Sequence, residues 1–260
     1  MPTLLIRNAR LRVTMDAQRR EIADGAVLVR GQVIEAVGAS ADLPASAAEV
    51  IDAQDQLVLP GLVNTHHPMF QTLTRAVPAV QDCALFGWLS GLYPVWANLT
   101  PEMVRIASQT AMAELLLSGC TTSSDPLYLF PNGVRLDNSI EGAALVGMRF
   151  HAARGSMSVD QSLGGLPPDS LVEREPAILA DTQRVIERGH DPGRFAMQRI
   201  AVTPCSPFSA SRELMRDSVL LARSFDRPAA PHGVSLHTHL AENHNDTAYT
   251  REKFGCTPAE

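Results

Sequence analysis

Two histidine-bearing segments contain the residues of this chain whose types and spacing suit catalysis. Residues 60–68 read PGLVNTHHP, in which His66 closes a short apolar run. Residues 236–242 read LHTHLAE, in which Glu242 follows His239 after three positions. Imidazoles beside a carboxylate are groups that hold a divalent metal and move the proton of an activated water. The two segments therefore predict a metal-assisted hydrolytic site.

The spacing of the histidines decides which imidazoles could share one metal ion, because residues i and i+2 of a strand face the same way. His237 and His239 have that spacing. The partner of His66 would be Pro68, which has no ligating side-chain atom. His67 would face the opposite side of a regular strand, and only a bulge or a frayed strand end would turn it toward the metal. The first segment is thus one ligand short.

The elements that must position these residues change character near residue 60. Before it, short apolar runs separated by turn residues predict a small antiparallel sheet. After it, apolar strands alternate with helix-length segments, which predicts βαβ units and a parallel sheet. The predicted strands span residues 62–66, 120–124, 148–152, 197–203 and 234–240, and the predicted helices span 100–119, 171–188 and 212–224. We expect two parts, residues 1–60 and residues 61–260.

The composition limits the classes of partner. A net charge of -6 and 45% hydrophobic residues are typical of a globular protein and argue against nucleic acid or an anionic membrane as the main partner. No segment is long and apolar enough to span a membrane, and the first residues turn polar too soon for a signal peptide. The expected location is cytoplasmic. The four cysteines are scattered, without a disulfide or zinc-finger spacing.

Several runs carry a family likeness. Residues 58–66 and 239–242 resemble the amidohydrolase superfamily, in its branch of purine, pyrimidine and triazine deaminases. Within that branch the chain is similar to the 8-oxoguanine deaminase and hydroxyatrazine aminohydrolase group. The runs that carry this finer likeness are residues 71–75, 118–125, 127–133, 150–158, 204–208 and 254–260. The resemblance implies an α/β fold, an amidohydrolase-type (β/α) TIM barrel that here stops after the fifth strand, with residues 1–60 as part of a small β-sandwich.

The resemblance also implies roles for individual residues. His66 and His239 would be metal ligands, and Glu242 would be the catalytic proton shuttle. Gln71 and Cys205 would contact the substrate. The implied cofactor is one zinc ion, with iron as the alternative. For two further residues, Arg154 and Tyr128, a place in the pocket and a place on the surface are both open.

The activity implied by the resemblance is hydrolytic deamination. A metal-bound hydroxide would attack the ring carbon that bears the amine of an oxidised purine such as 8-oxoguanine, and ammonia would leave. The expected partner is a small heterocyclic substrate, and self-association into a homo-oligomer is compatible with the family. The alternatives are a triazine or guanine aminohydrolase of the same superfamily, and an inactive truncated fragment without a complete metal site.

The chain departs from the family pattern at four points. Those that concern metal ligands favour an inactive fragment without a complete metal site, and one concerns the fold. Pro68 and Pro126 stand where the family implies histidines. The chain is expected to stop before the histidine of the sixth strand and the aspartate of the eighth. The Pro-rich segment at residues 227–231 is predicted to be an insertion before the fifth strand.

Overall fold

The computed structural model describes residues 1–227 and 233–260, and its chain divides into two compact units, Met1–Leu62 and Val63–Glu260. The predicted insertion at 227–231 lies outside the described residues except for Arg227, and so does His232. In the described part of the chain, no helix combines the length and apolarity needed to cross a membrane.

The first unit is one mixed five-stranded sheet. Its strands are β1 (Thr3–Val13), β2 (Glu21–Arg30), β3 (Val33–Ala39), β4 (Glu49–Asp52) and β5 (Leu57–Val58). The order is β3-β2-β1-β4, with β5 also on β1. β1, β2 and β3 pair antiparallel as predicted, but β4 and β5 run parallel to β1, so the prediction of a purely antiparallel sheet is wrong.

The parallel pairing in this unit has a simple cause. The chain leaves β3 through a short 3-10 helix, Ser40–Asp42, and crosses to the far side of β1 instead of turning back in a tight hairpin. A crossover of this kind sets the next strand parallel to the one it joins. The strands β1 to β5 form a single sheet, so the assignment to a β-sandwich stays a prediction.

The second unit is a parallel β/α arrangement. Its strands are β6 (Leu62–Asn64), β7 (Cys120–Leu127), β8 (Arg149–Ser156), β9 (Gln198–Pro204) and β10 (Ser235–Leu236), in the spatial order β10-β9-β8-β7-β6. All five lie where the sequence predicts strands, and β7 to β10 pair parallel. Sequential neighbours without a reversal of order are typical of a β/α barrel and not of a doubly wound sheet.

Over residues 63–227 and 233–260, six α-helices accompany these strands: α1 (Leu85–Trp96), α2 (Pro101–Leu117), α3 (Leu136–Val146), α4 (Glu175–Gly189), α5 (Arg212–Ser224) and α6 (His244–Phe254). The predicted start of α2 is confirmed, since the Thr100 side chain accepts a hydrogen bond from the Met103 amide and Pro101 occupies the first turn. Helices α1, α3 and α6 were not predicted. α1 contains Pro94 in its interior, and a proline there argues against a helix.

The strands of the second unit present different faces to the helices and to the interior. Phe150, Ile200 and Val202 belong to the buried cluster that also contains helix residues such as Met112. Ser124 and His151, which alternate with such positions, line a cavity on the other face. Strand alternation therefore places apolar side chains under the helices and polar ones toward the interior.

Arg154 lies within β8, not in a loop, and only 1% of its side chain is exposed. Its guanidinium forms a bidentate pair with Glu173, at 2.9 and 3.0 Å, and bonds Asp181 at 2.9 Å. It also stacks 3.7 Å from the centre of the Phe130 ring. The suggestion that Arg154 lines the pocket is wrong, because these partners hold it beneath α4.

We predict that Arg154→Ala lowers the free energy of unfolding by about 3 kcal/mol, because it leaves Glu173 without a cation and leaves Asp181 with only one of its two arginine partners, Arg184. Urea titration monitored by circular dichroism measures the loss. Arg75→Ala is the matched control: Arg75 and Glu114 form an ion pair with both side chains 51% exposed, so it should cost less than about 1 kcal/mol. Equal losses in the two variants would contradict the assignment.

Asp125 is a fully buried carboxyl near the end of β7. Its Oδ1 accepts a hydrogen bond from the Met69 amide at 3.2 Å, while Oδ2 has no hydrogen-bond partner in the described structure. Burial raises the pKa of Asp125 to about 7, although the bonds from Met69 and Ser139 act in the opposite direction. The residue thereby ties β7 to the 3-10 helix Met69–Thr74 that follows His66.

This raised pKa predicts a pH-dependent stability. Because the folded-state pKa exceeds the unfolded-state value of about 3.9, the contribution of Asp125 is complete below about pH 4 and is lost as the pH rises through 7. Between pH 5 and pH 8 the wild type should lose about 2–3 kcal/mol relative to Asp125→Asn, which cannot titrate. The free energy of unfolding of both proteins is measured across this pH range. If both fall by the same amount, Asp125 is already ionised at pH 5 and the prediction is contradicted.

Candidate active site

The central feature of the site is an imidazole pair. His66 Nε2 and His239 Nε2 are 2.8 Å apart, and their rings meet edge to face with centroids 4.9 Å apart. Burial and the charge of His239 lower the pKa of His66. Burial also lowers the pKa of His239, but its contacts with Cys205 and the charge of Glu242 outweigh burial and raise it to about 9. These opposite shifts in pKa favour His239 as the donor of the shared proton and His66 as the acceptor.

Backbone contacts at the strand ends hold the two rings. His66 follows β6, and its amide donates to Asn64 Oδ1 at 3.0 Å. The His239 amide donates to the Cys205 carbonyl at 2.9 Å, and His239 Nδ1 bonds the same oxygen at 2.8 Å. A ring whose Nδ1–H is engaged in this way keeps Nε2 for the interior of the site. The geometry thus aims both Nε2 atoms at one point.

His237 is the third imidazole at this point. Its ring centroid lies 6.2 Å from that of His66 and 6.2 Å from that of His239. The prediction that His237 and His239 face the same side is confirmed. Burial, followed by the charges of the other two imidazoles, lowers the pKa of His237 to about 4. It is therefore a neutral imidazole at physiological pH.

One cavity of about 110 Å³ collects the residues that the sequence singled out. His66, Gln71, Cys205, His239 and Glu242 all line it. The structure therefore brings together the two proposed metal ligands, the proposed proton shuttle and the two proposed substrate contacts, although they span 176 positions between the first and the last, from 66 to 242.

The other wall of the cavity was missed by sequence reasoning. Leu85, Trp88, Leu89 and Tyr93 of α1 form an apolar side of it. Their spacing of three, four and eight positions is helical, and that period was the available signal. Tyr128 also lines the cavity, where its hydroxyl accepts a hydrogen bond from Gln71 Nε2 at 3.2 Å. For Tyr128 the structure decides in favour of the pocket over the surface.

His67 does not join the imidazole pair. Its Nδ1 lies 3.4 Å from Asn64 Nδ2, and it lines a neighbouring depression with Arg75 instead of the cavity that holds Glu242. Its amide donates to the Ser124 carbonyl at 3.1 Å, which ties this segment to β7. The His67 ring is not turned toward His239. It therefore faces away from the imidazole pair, as predicted from the sequence spacing.

The imidazole pair fits two ligands of a zinc ion in type and direction. Two nitrogens bound to one tetrahedral zinc are about 3.3 Å apart, so the pair at 2.8 Å would open slightly to admit the ion. Over residues 1–227 and 233–260, however, no three His, Cys, Asp or Glu side chains are already arranged around one metal position. Pro68 borders the cavity without a ligating atom. The described chain therefore has two ligands in place, where a catalytic zinc site needs three.

Comparison with known proteins agrees with this architecture. The model of the Amidohydrolase family matches residues 57–260. The chain is 46% identical to an 8-oxoguanine deaminase of Pseudomonas aeruginosa PAO1 over 237 residues, which cover 90% of this chain and 51% of that protein. It is 35% identical to a hydroxydechloroatrazine ethylaminohydrolase of Pseudomonas sp. strain ADP, over 84% of this chain and 47% of that protein.

Solved structures give the same result. An atrazine chlorohydrolase from Arthrobacter aurescens TC1, crystallised with zinc, matches 98% of this chain and 56% of its own with a TM-score of 0.90 at 32% identity. The chain spans about half the length of the curated relatives it matches. The family match over most of the chain, the identity to the deaminase and the shared fold lead to one conclusion: this protein belongs to the amidohydrolase family.

Proposed function

We propose that this chain contributes to hydrolytic deamination of an amino-substituted heterocycle, with an oxidised purine such as 8-oxoguanine as substrate. The observation that carries the proposal is the convergence of Glu242 and Gln71 on the imidazole pair within one cavity. The choice of an oxidised purine rests on the 46% identity to an 8-oxoguanine deaminase. Deaminases and aminohydrolases among the relatives support the reaction class.

His66 and His239 are the residues of this chain that would hold a divalent metal, zinc first and iron as the alternative. Such an ion, when bound, supplies a Lewis acid that makes water nucleophilic at neutral pH. A zinc-bound structural neighbour supports zinc. The proton on the imidazole pair must leave before both Nε2 atoms can ligate, so metal binding should release a proton.

Glu242 is the proposed carrier of protons. Its backbone amide donates to Asp246 Oδ2 at 2.6 Å, and Asp246 is a buried residue in the first turn of α6. The start of α6 therefore places the Glu242 carboxylate at the cavity beside His239. From there it would take one proton from the attacking water and deliver it to a ring nitrogen, and then move the hydroxyl proton of the addition product to the departing amine, which leaves as ammonia.

Gln71 and the apolar wall would hold the substrate. Because Gln71 Nε2 is engaged with the Tyr128 hydroxyl, its amide oxygen remains as an acceptor for an N–H group on the edge of the base. Trp88 and Leu89 offer an apolar surface to the ring face. Cys205 closes the side of the cavity next to His239.

We predict that Glu242→Gln lowers the rate of ammonia release by about 10²- to 10⁴-fold, because the amide cannot transfer protons. The assay uses the zinc-supplemented chain with 8-oxoguanine and a coupled ammonia readout. Glu252→Gln, on the exposed face of α6, is the matched control and should leave the rate unchanged. A zinc-loaded wild type that releases no ammonia from oxidised purines, guanine or triazines would contradict the proposal.

A triazine substrate is the second candidate, and the similarity to the ethylaminohydrolase and the atrazine chlorohydrolase favours it. A purine deaminase releases ammonia and an ethylaminohydrolase releases ethylamine, whereas a chlorohydrolase releases chloride. Mass-spectrometric analysis of the amine formed from 8-oxoguanine and from an ethylamino-triazine separates the two. Ethylamine release that exceeds ammonia release would assign the cavity to triazines.

A further inference from the structure

The position of His237 provides a ligand that the first histidine segment lacks. In a tetrahedral zinc site the centroids of two ligating imidazoles lie about 5 Å apart, since each nitrogen is about 2 Å from the metal. His66 and His239 satisfy that separation at 4.9 Å. His237 lies 6.2 Å from both and is equidistant from them. A shift of its ring by about 1 Å toward the pair would complete a group of three.

The surroundings of His237 permit that shift. Its backbone is anchored, because the His237 amide donates to the Val202 carbonyl at 3.0 Å. Its ring is half-buried at the edge of a cavity lined also by Ser124 and His151. Within the described part of the chain, no hydrogen bond holds the imidazole in its present rotamer. The side chain can therefore turn toward His66 without breaking a hydrogen bond of the described structure.

The other possible metal-ligating side chains near His66 and His239 do not face the two Nε2 atoms. Cys205 Sγ lies 3.8 Å from His239 Nδ1, on the side of the ring away from the Nε2 that would ligate. His67 lines a separate depression. Pro68, where a second histidine of the first strand would stand, borders the cavity but offers no donor. Of these neighbours, His237 alone combines a free donor with equal access to both members of the pair.

We propose that His237 is the third protein ligand of the divalent metal, in place of the ligand that Pro68 does not supply. The proposal rests on the proposed function only in assigning His66 and His239 to the metal. In this proposal His237 and His239, which follow β10 and are two positions apart, supply two of the three metal ligands. His66, which follows β6, supplies the third.

The test is metal affinity of the 260-residue chain, measured by zinc titration calorimetry and by the visible absorption of bound Co²⁺. Loss of a residue that only hydrogen-bonds a metal ligand weakens metal binding by about 10- to 100-fold. His237→Ala and His237→Asn should each weaken zinc binding by more than that. The Co²⁺ spectrum should change, because the number of nitrogen ligands falls. His151→Ala is the matched control, since His151 lines the same cavity but faces β9, and should leave both readouts unchanged. Circular dichroism checks that each variant is folded.

A rescue experiment separates ligation from a structural role. Adding Pro68→His to His237→Ala should restore zinc affinity to within about 10-fold of the wild type, because residue 68 borders the cavity that His66 and His239 line. Unchanged zinc affinity in folded His237→Ala overturns the proposal, and so does a loss that Pro68→His does not restore. Ammonia release is measured separately: its absence with these metal results intact would count against the proposed function, not against His237.

Discussion

Parallel pairing of the strands in the second unit is the constraint on which the site depends. β8 pairs in parallel with β7 and β9, and β10 pairs in parallel with β9, so these four strands end at the same edge of the sheet, and β6 lies beside β7. Residues that follow those ends meet however far apart they lie in the chain. His66 and His239, 173 positions apart, form a hydrogen bond for this reason. Cys205 reaches the same place from the end of β9.

Alternation along the strands divides the chemistry of the second unit between two faces. The helix-facing side buries apolar residues, and it also contains two charged groups, Arg154 and Asp125. Burial of a charge is unfavourable unless it is paired or neutralised. Arg154 is paired by Glu173 and Asp181, whereas Asp125 is shifted toward its neutral form. Ion pairs thus offset the burial of the Arg154 charge, and protonation offsets the burial of the Asp125 carboxyl. Asp125 also anchors the segment that carries Gln71.

In the proposed metal site, the presence of Pro68 where the family implies a histidine changes the role of the neighbouring histidines. With Pro68 beside it, His66 depends on residues of another strand end for any shared ion. Those residues are imidazoles with neutral or shared-proton states, since His237 has a lowered pKa and His239 shares its proton with His66. A site of this kind binds metal in competition with protons. The segment before α6 and the apolar α1 then place Glu242 and an apolar wall at the cavity without contributing ligands.

The sequence by itself determined the positions of the five parallel strands, the start of α2 and the polar cavity residues His66, Gln71, Cys205, His239 and Glu242, because apolar period, capping residues and sequence motifs are local properties. It also determined family membership, through runs of residues that need no coordinates. The tertiary structure alone decided that β4 and β5 run parallel to β1, that Arg154 is buried and Tyr128 faces the pocket, and that α1 forms a wall. It alone placed His237 equally far from His66 and His239. These features depend on contacts between residues distant in the chain, and local patterns carry no information about such contacts.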